Sequence, residues 1–232
     1  DKRRYQLEAL RPYLPDMRSR LEQLQERQDV PLRSLIWQVI YDLNPYNAQT
    51  AKVIEVRMSF SLKPAEFLKQ ARTEQAKARV YLQYLQRAEK AMAEARDLRE
   101  KETAPRWQAN YDLIHAQIIA YQARIYEYGA YLEAFIRKPK VVPATRGPNT
   151  RLSHWDITTR KDLVAADVSK PYIDRATRMF QQVIQDHPGT PWAERAQAEL
   201  RRGFGIDLVP DYDSTLRRTR PVTGRVQPIP KL

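Results

Sequence analysis

The chain contains no cysteine, which removes disulfides, thiolate metal sites, iron–sulfur clusters and cysteine nucleophiles from consideration. Glycine is scarce, at 6 residues in 232, and Gly203 and Gly205 lack the flanking strand and helix that a dinucleotide-binding loop needs. No apolar run approaches the roughly 20 residues that carry a helix across a bilayer, so no transmembrane segment is expected. Histidine is limited to His115, His154 and His187, and none has a carboxylate at ligand or triad spacing in the sequence. All three are therefore assigned to structural or surface roles, and no metal, cofactor, small-molecule substrate or catalytic constellation is expected. The chain begins at Asp1, without an initiator methionine or a signal-like apolar stretch, and reads as a processed protein or a piece of a longer one.

What is abundant is charge and helix-forming residues. Charged residues make up 29% and apolar ones 42% of the chain; with a mean hydropathy of -0.69, that composition predicts a thin core and an elongated helical shape. The formal net charge of +12 raises the prospect of an acidic partner. Much of the excess, however, lies in a connector at 138–170 and in the C-terminal tail.

Read along the chain, residues 1–137 form a helical domain. Pro12 and Pro15 interrupt its first helix, which restarts near Pro15 or Asp16. Leu32, Leu35, Ile36, Val39, Ile40 and Leu43 recur at helical spacing after Pro31, and Asn44-Pro45 resembles a cap that opens a further short helix to about Met58. From Pro64 to about Glu102 neither glycine nor proline interrupts a helix-favouring composition. Within it Phe67, Ala71, Glu74, Ala78, Tyr81, Leu85, Ala88, Met92 and Ala95 form a heptad seam, as in a coiled coil. Thr103 then offers an N-cap before Pro105, and a second long helix runs to about Arg137. Its seam, Trp107, Tyr111, Ile114, Ile118, Tyr121, Ile125, Tyr128, Leu132 and Phe135, is bulky where the first is rich in alanine. Two such helices joined by a short loop predict an antiparallel hairpin packed large against small.

Residues 138–170 break the pattern with prolines and basic residues and read as a basic connector. Within it LSHWDITTR suits a short extended piece anchored by Trp155. Residues 171–212 form a helix pair, with Gly203 stopping the second helix after Arg202. Residues 213–232 are an extended basic tail whose Arg217, Arg218, Arg220 and Arg225 surround prolines and bury no core. The architecture expected is all-α.

Two resemblances arise from these residues. PYIDRATRMFQQVIQDHPGTPWAERAQAELRRGF resembles one tetratricopeptide-type unit, with Ala176, Phe180 and Pro188 at the spacing of that repeat's small residue, aromatic and turn proline. DHPGTPWAERAQAEL, LSHWDITTRK and RWQANYDLIHAQIIAYQARIYEYGAYLEAF are similar to the C-terminal helical part of large bacterial proteins that carry a von Willebrand factor A domain. That similarity implies a helical accessory region of an adhesion or assembly protein. The metal-binding DxSxS motif of the A domain is absent, so metal-dependent adhesion is not implied.

Asp211, Asp213 and Thr215 in IDLVPDYDSTL match the nucleophile loop of haloacid-dehalogenase-type phosphatases, but the long α/β domain which that chemistry requires does not follow. They read as a polar turn after Pro210. Thirteen tyrosines remain; those on the second seam are core, whereas Tyr126 and Tyr131 lie off it, facing a third helix or a partner. The function expected is a non-catalytic scaffold or protein–protein interaction module, with Tyr126, Tyr131, Trp155 and the four tail arginines as partner-binding candidates and self-assembly as one mode. The alternative is a nucleic-acid binder using the basic connector and tail.

Overall fold

The computed structural model describes residues 7–15, 19, 21–22, 30–44, 47 and 55–214. Along the chain come α1 (Leu7–Leu10), a 3-10 turn (Arg11–Tyr13), α2 (Pro31–Asp42) and β1 (Ser59–Phe60). These are followed by α3 (Pro64–Glu94), α4 (Arg96–Lys101), α5 (Pro105–Arg137), β2 (Thr150–Arg160), α6 (Ala166–Asp186), α7 (Pro191–Arg202) and β3 (Gly205–Ser214). The expected helix after Asn44 falls largely outside the described residues, and residues 55–58 carry no helix.

The long helices α3 and α5 run antiparallel, as successive cross-links show. Tyr111 Oη donates to the Met92 carbonyl, Gln75 Nε2 donates to the Gly129 carbonyl at 3.1 Å, and the Phe67 and Phe135 rings meet at 4.9 Å. Ala71, Ala78, Leu85 and Met92 from one seam are buried against Ile118, Ile125, Tyr128 and Leu132 from the other. The first helix does not continue to Glu102. It ends at Glu94, and Ala95 turns the chain into α4. Nor is Thr103 the cap of α5: Ala104 holds that position, and the Glu102 carboxylate accepts its N–H at 2.9 Å. Glu102 also receives a two-pronged bond from Arg33 of α2, at 2.9 and 3.0 Å, which ties α2 to the hairpin's closed end.

α5 buries a second face. Ala116, Ile119, Ala120 and Ala123 pack against Ala176, Phe180 and Val183 of α6 and Ala196 of α7, and the small side chains let the backbones approach closely. Two charged residues one turn apart fix this contact. Glu127, fully buried, accepts from the backbone N–H groups of Val164 and Ala165 at 2.7 and 3.1 Å and from Ser169 Oγ at 2.6 Å, so it satisfies orphan donors at the start of α6. Arg124 pairs with Glu199 at 2.7 Å and donates to the carbonyls of Glu199 and Gly203 at 3.4 and 3.2 Å, which are orphan acceptors at the end of α7.

The all-α expectation is wrong: β1, β2 and β3 form an antiparallel sheet in the order β1-β2-β3. Phe60 pairs with Trp155, and β2 pairs with β3 from Thr150↔Ser214 to Arg160↔Gly205. The extended piece around Trp155 is therefore a central strand, and residues 138–170 are not wholly a connector. Likewise Asp211 and Asp213 stand in β3 instead of a polar turn, while Thr215 lies outside the described residues. Pro210 is tolerated because β3 is an edge strand. The chain enters β3 through a close approach: Gly203 has φ +81, and a Cβ on Gly205 would lie 1.9 Å from the Asp162 carbonyl oxygen.

The Arg124–Glu199 pair generates a prediction about stability. Burial pushes the Glu199 carboxyl up, but Arg124, Arg195 and Gln117 outweigh it and hold the group below its ordinary value. A depressed folded value means a contribution present above about pH 4.5 and lost as pH falls through the folded value. Arg124→Met should cost about 3 kcal/mol at neutral pH, the low end for a broken buried pair because Arg195 still contacts Glu199. Arg124→Met/Glu199→Met should recover part of that loss and flatten the acid limb of the stability profile, both read from urea unfolding across pH.

Candidate partner-binding groove

Where the hairpin's open end meets the sheet, the side chains do not close over one another. A cleft of about 310 Å³ remains, floored by Phe67, Phe135 and Trp155. Its near wall is the loop between β1 and α3, with Ser61, Leu62 and Pro64; the far wall is Ile136, Pro139 and Lys140, where the chain leaves α5. Leu68 stands at the mouth and is 43% exposed.

Aromatic contacts make the floor rigid. The Phe135 ring meets Phe67 at 4.9 Å, Trp155 edge-to-face at 5.1 Å and Tyr131 at 6.3 Å, while Phe60 lies 5.4 Å from Phe67. The near wall is held by polar bonds to its backbone: Gln70 Oε1 accepts from the Ser61 N–H at 2.9 Å, and Ser61 Oγ accepts from the Lys63 N–H at 3.2 Å.

Lys140 is the charged residue among those lining the cleft, and the sequence neighbours Lys63, Glu66, Lys69 and Lys138 are exposed. Lys140 pairs with Asp207 and donates to the Leu208 carbonyl at 3.0 Å. Burial draws the Lys140 ammonium down, but its bond to Asp207 outweighs that and raises it above the ordinary value. Conversely, burial pushes the Asp207 carboxyl up, and bonds from Lys140 and Tyr131 bring it below the usual carboxylate range. Lys140 is thus a fixed cation, the wrong protonation state for a nucleophilic amine. The groove offers apolar contact and positive charge.

Of the partner-binding candidates among the described residues, Trp155 lines this groove and Tyr126 and Tyr131 do not. Tyr131 lies behind it, 6% exposed, with its hydroxyl on Asp207. Tyr126 packs against Tyr172 of α6 at 5.4 Å, so both off-seam tyrosines serve internal contacts. Arg217, Arg218, Arg220 and Arg225 lie outside the described residues. His115 stacks edge-on against Tyr111, and burial lowers its pKa. His187 bridges Tyr13 Oη and Asp112 at 2.9 and 3.0 Å. His154 contradicts the expectation that no carboxylate reaches it: Asp156 and Asp211 lie 3.1 and 3.7 Å from its Nε2. Strand alternation puts Asp156, two residues on, beside His154, a spacing the sequence does show once the strand is known; strand pairing brings Asp211 there across 57 residues, where sequence spacing carries no signal. Lys140 was missed for the same reason, since its partners are on β3.

In comparison with known proteins, the chain matches no family model, no curated protein and no solved structure.

The aromatic floor is also part of the fold, and this yields a prediction. Trp155 is 6% exposed, so Trp155→Ala should destabilise the protein by about 3–5 kcal/mol, measured by urea unfolding. Trp155→Phe, which keeps a ring against Phe135, should cost clearly less. Equal costs for the two would show that ring stacking does not hold the floor.

Proposed function

We infer that this protein is a non-catalytic interaction module that docks a segment of another protein in the groove between hairpin and sheet. The observation carrying this reading is an apolar floor of Phe67, Phe135 and Trp155 left open beside Lys140, with the lysines at 63, 69 and 138 exposed next to lining residues in the sequence. Pockets of this size take one or two large side chains, and these lysines favour carboxylates beside them. The occupant is therefore a peptide segment with a large apolar anchor flanked by Asp or Glu. The resemblance to helical regions accompanying von Willebrand factor A domains implies the same kind of accessory role.

The nucleic-acid alternative draws less support. Several cations of the connector are engaged inside the fold: Lys140 pairs with Asp207, Arg146 lies 4.7 Å over Tyr212, and Arg160 lies 5.2 Å over Tyr131.

Peptide display on the immobilised protein tests the proposal, with Leu68→Glu as the control because Leu68 is exposed enough to change without unfolding the chain. Selected peptides should carry an aromatic or large aliphatic anchor beside acidic residues. Their affinity for Leu68→Glu should fall more than about tenfold, as for a hot-spot contact replaced by a repelling charge. Equal binding to both forms would reject the groove. Binding of a generic single-stranded oligonucleotide that weakens steeply with salt and ignores Leu68→Glu would favour the nucleic-acid reading.

A further inference from the structure

The face of β2 opposite Trp155 carries a second constellation. Side chains alternate along a strand, so His154 and Asp156 project together on the side away from the buried Trp155. His154 pairs directly with Asp211 of β3, which places that carboxylate on the same face. The Asp156 Oδ1 and Asp211 Oδ2 atoms approach His154 Nε2 to 3.1 and 3.7 Å, and one ligand atom from each of the three residues lies within 4.8 Å of the others.

Ser153 Oγ donates to the Asp211 carbonyl at 3.2 Å and lies 2.8 Å from His154 Nδ1, so the imidazole is held at its Nδ1 edge while Nε2 faces the two carboxylates. Ser59 Oγ of β1 donates to Asp156 Oδ1 at 2.6 Å and orients that carboxylate as outer-shell partners of metal ligands do. A register irregularity between Leu152 and His154 falls at this point in β2, and bulges commonly re-aim side chains beside functional sites.

We propose that His154, Asp156 and Asp211 form a divalent-cation site, with the Nε2 lone pair and one oxygen from each carboxylate as ligands. An imidazole with two carboxylates suits a first-row transition ion such as Zn²⁺, whereas Ca²⁺ and Mg²⁺ favour all-oxygen sets. The three side chains are 33%, 40% and 49% exposed, so the ion is reached from solvent and keeps a coordination position there for water or a partner's donor atom. Bound there, it clips β2 to β3.

Zn²⁺ titration of the full chain near pH 7.5 by isothermal calorimetry is the test, alongside His154→Ala and Asp211→Asn, with folding checked by circular dichroism. One ion per chain should bind, each substitution should weaken it more than about tenfold, and Mg²⁺ should not displace it. In histidine-selective NMR, Zn²⁺ should shift the His154 Nε2 resonance and leave His115 and His187 unmoved. Absence of binding at millimolar Zn²⁺ would overturn the proposal. So would binding that survives His154→Ala, or shifts confined to the other two histidines.

Discussion

Glu127 and Arg124 lie one turn apart on α5, and the placement of α6 and α7 depends on them. Glu127 supplies acceptors to the first N–H groups around α6, where a helix presents partial positive charge; Arg124 supplies donors to the last carbonyls of α7, where it presents partial negative charge. Opposite charges on a single helix thus hold both ends of the α6–α7 pair. The alanine face of α5 sets how close the pair comes, and the two charged contacts set its position along the helix axis. Because α7 ends at Arg202 against Arg124, the chain must pass Arg160 and Asp162 at Gly203 and Gly205. That passage starts β3 in register with β2.

Register then decides where chemistry sits. In a strand, a one-residue slip exchanges the two faces. A slip of β2 would expose Trp155, unroof the groove floor and turn His154 and Asp156 inward. Burial of Trp155 against Phe135, together with Ile206 and Leu208 in the same core, makes that slip costly. The groove and the imidazole–carboxylate cluster are consequently two sides of one register choice.

The sequence disclosed the hairpin because helix periodicity is local: seams with residues three and four apart can be read within a single element. It disclosed Trp155 as an anchor of extended chain for a similar reason, since bulky and β-branched residues around it favour strand. The sheet itself was not legible. Phe60, Trp155 and Pro210 meet only after two helical layers have folded between them, and pairing partners leave no mark on local spacing. The second face of α5, with alanines at positions 116, 120 and 123, carries no distinct signal in the sequence, because alanine equally marks helix propensity. Tyr126 and Tyr131 lie off the second seam, and what they face was legible only once α6 and β3 had positions.

The same distinction governs the meaning of the net charge. Summed over the sequence, +12 points outward toward an acidic partner. In the folded chain, Arg33, Arg99, Arg124 and Arg175 pair with Glu102, Asp112, Glu199 and Glu89, and each pair ties two segments together. For Arg33 and Arg124, whose side chains are 13% and 9% exposed, burial makes the pairing obligatory, because a lone buried charge is far less tolerable than a lone surface one. What remains for recognition is local: lysines beside an apolar floor on one side of β2, and two carboxylates with an imidazole on the other. On the two proposals made above, one side of this strand would take an acidic segment and the other a cation, so the total charge describes neither surface.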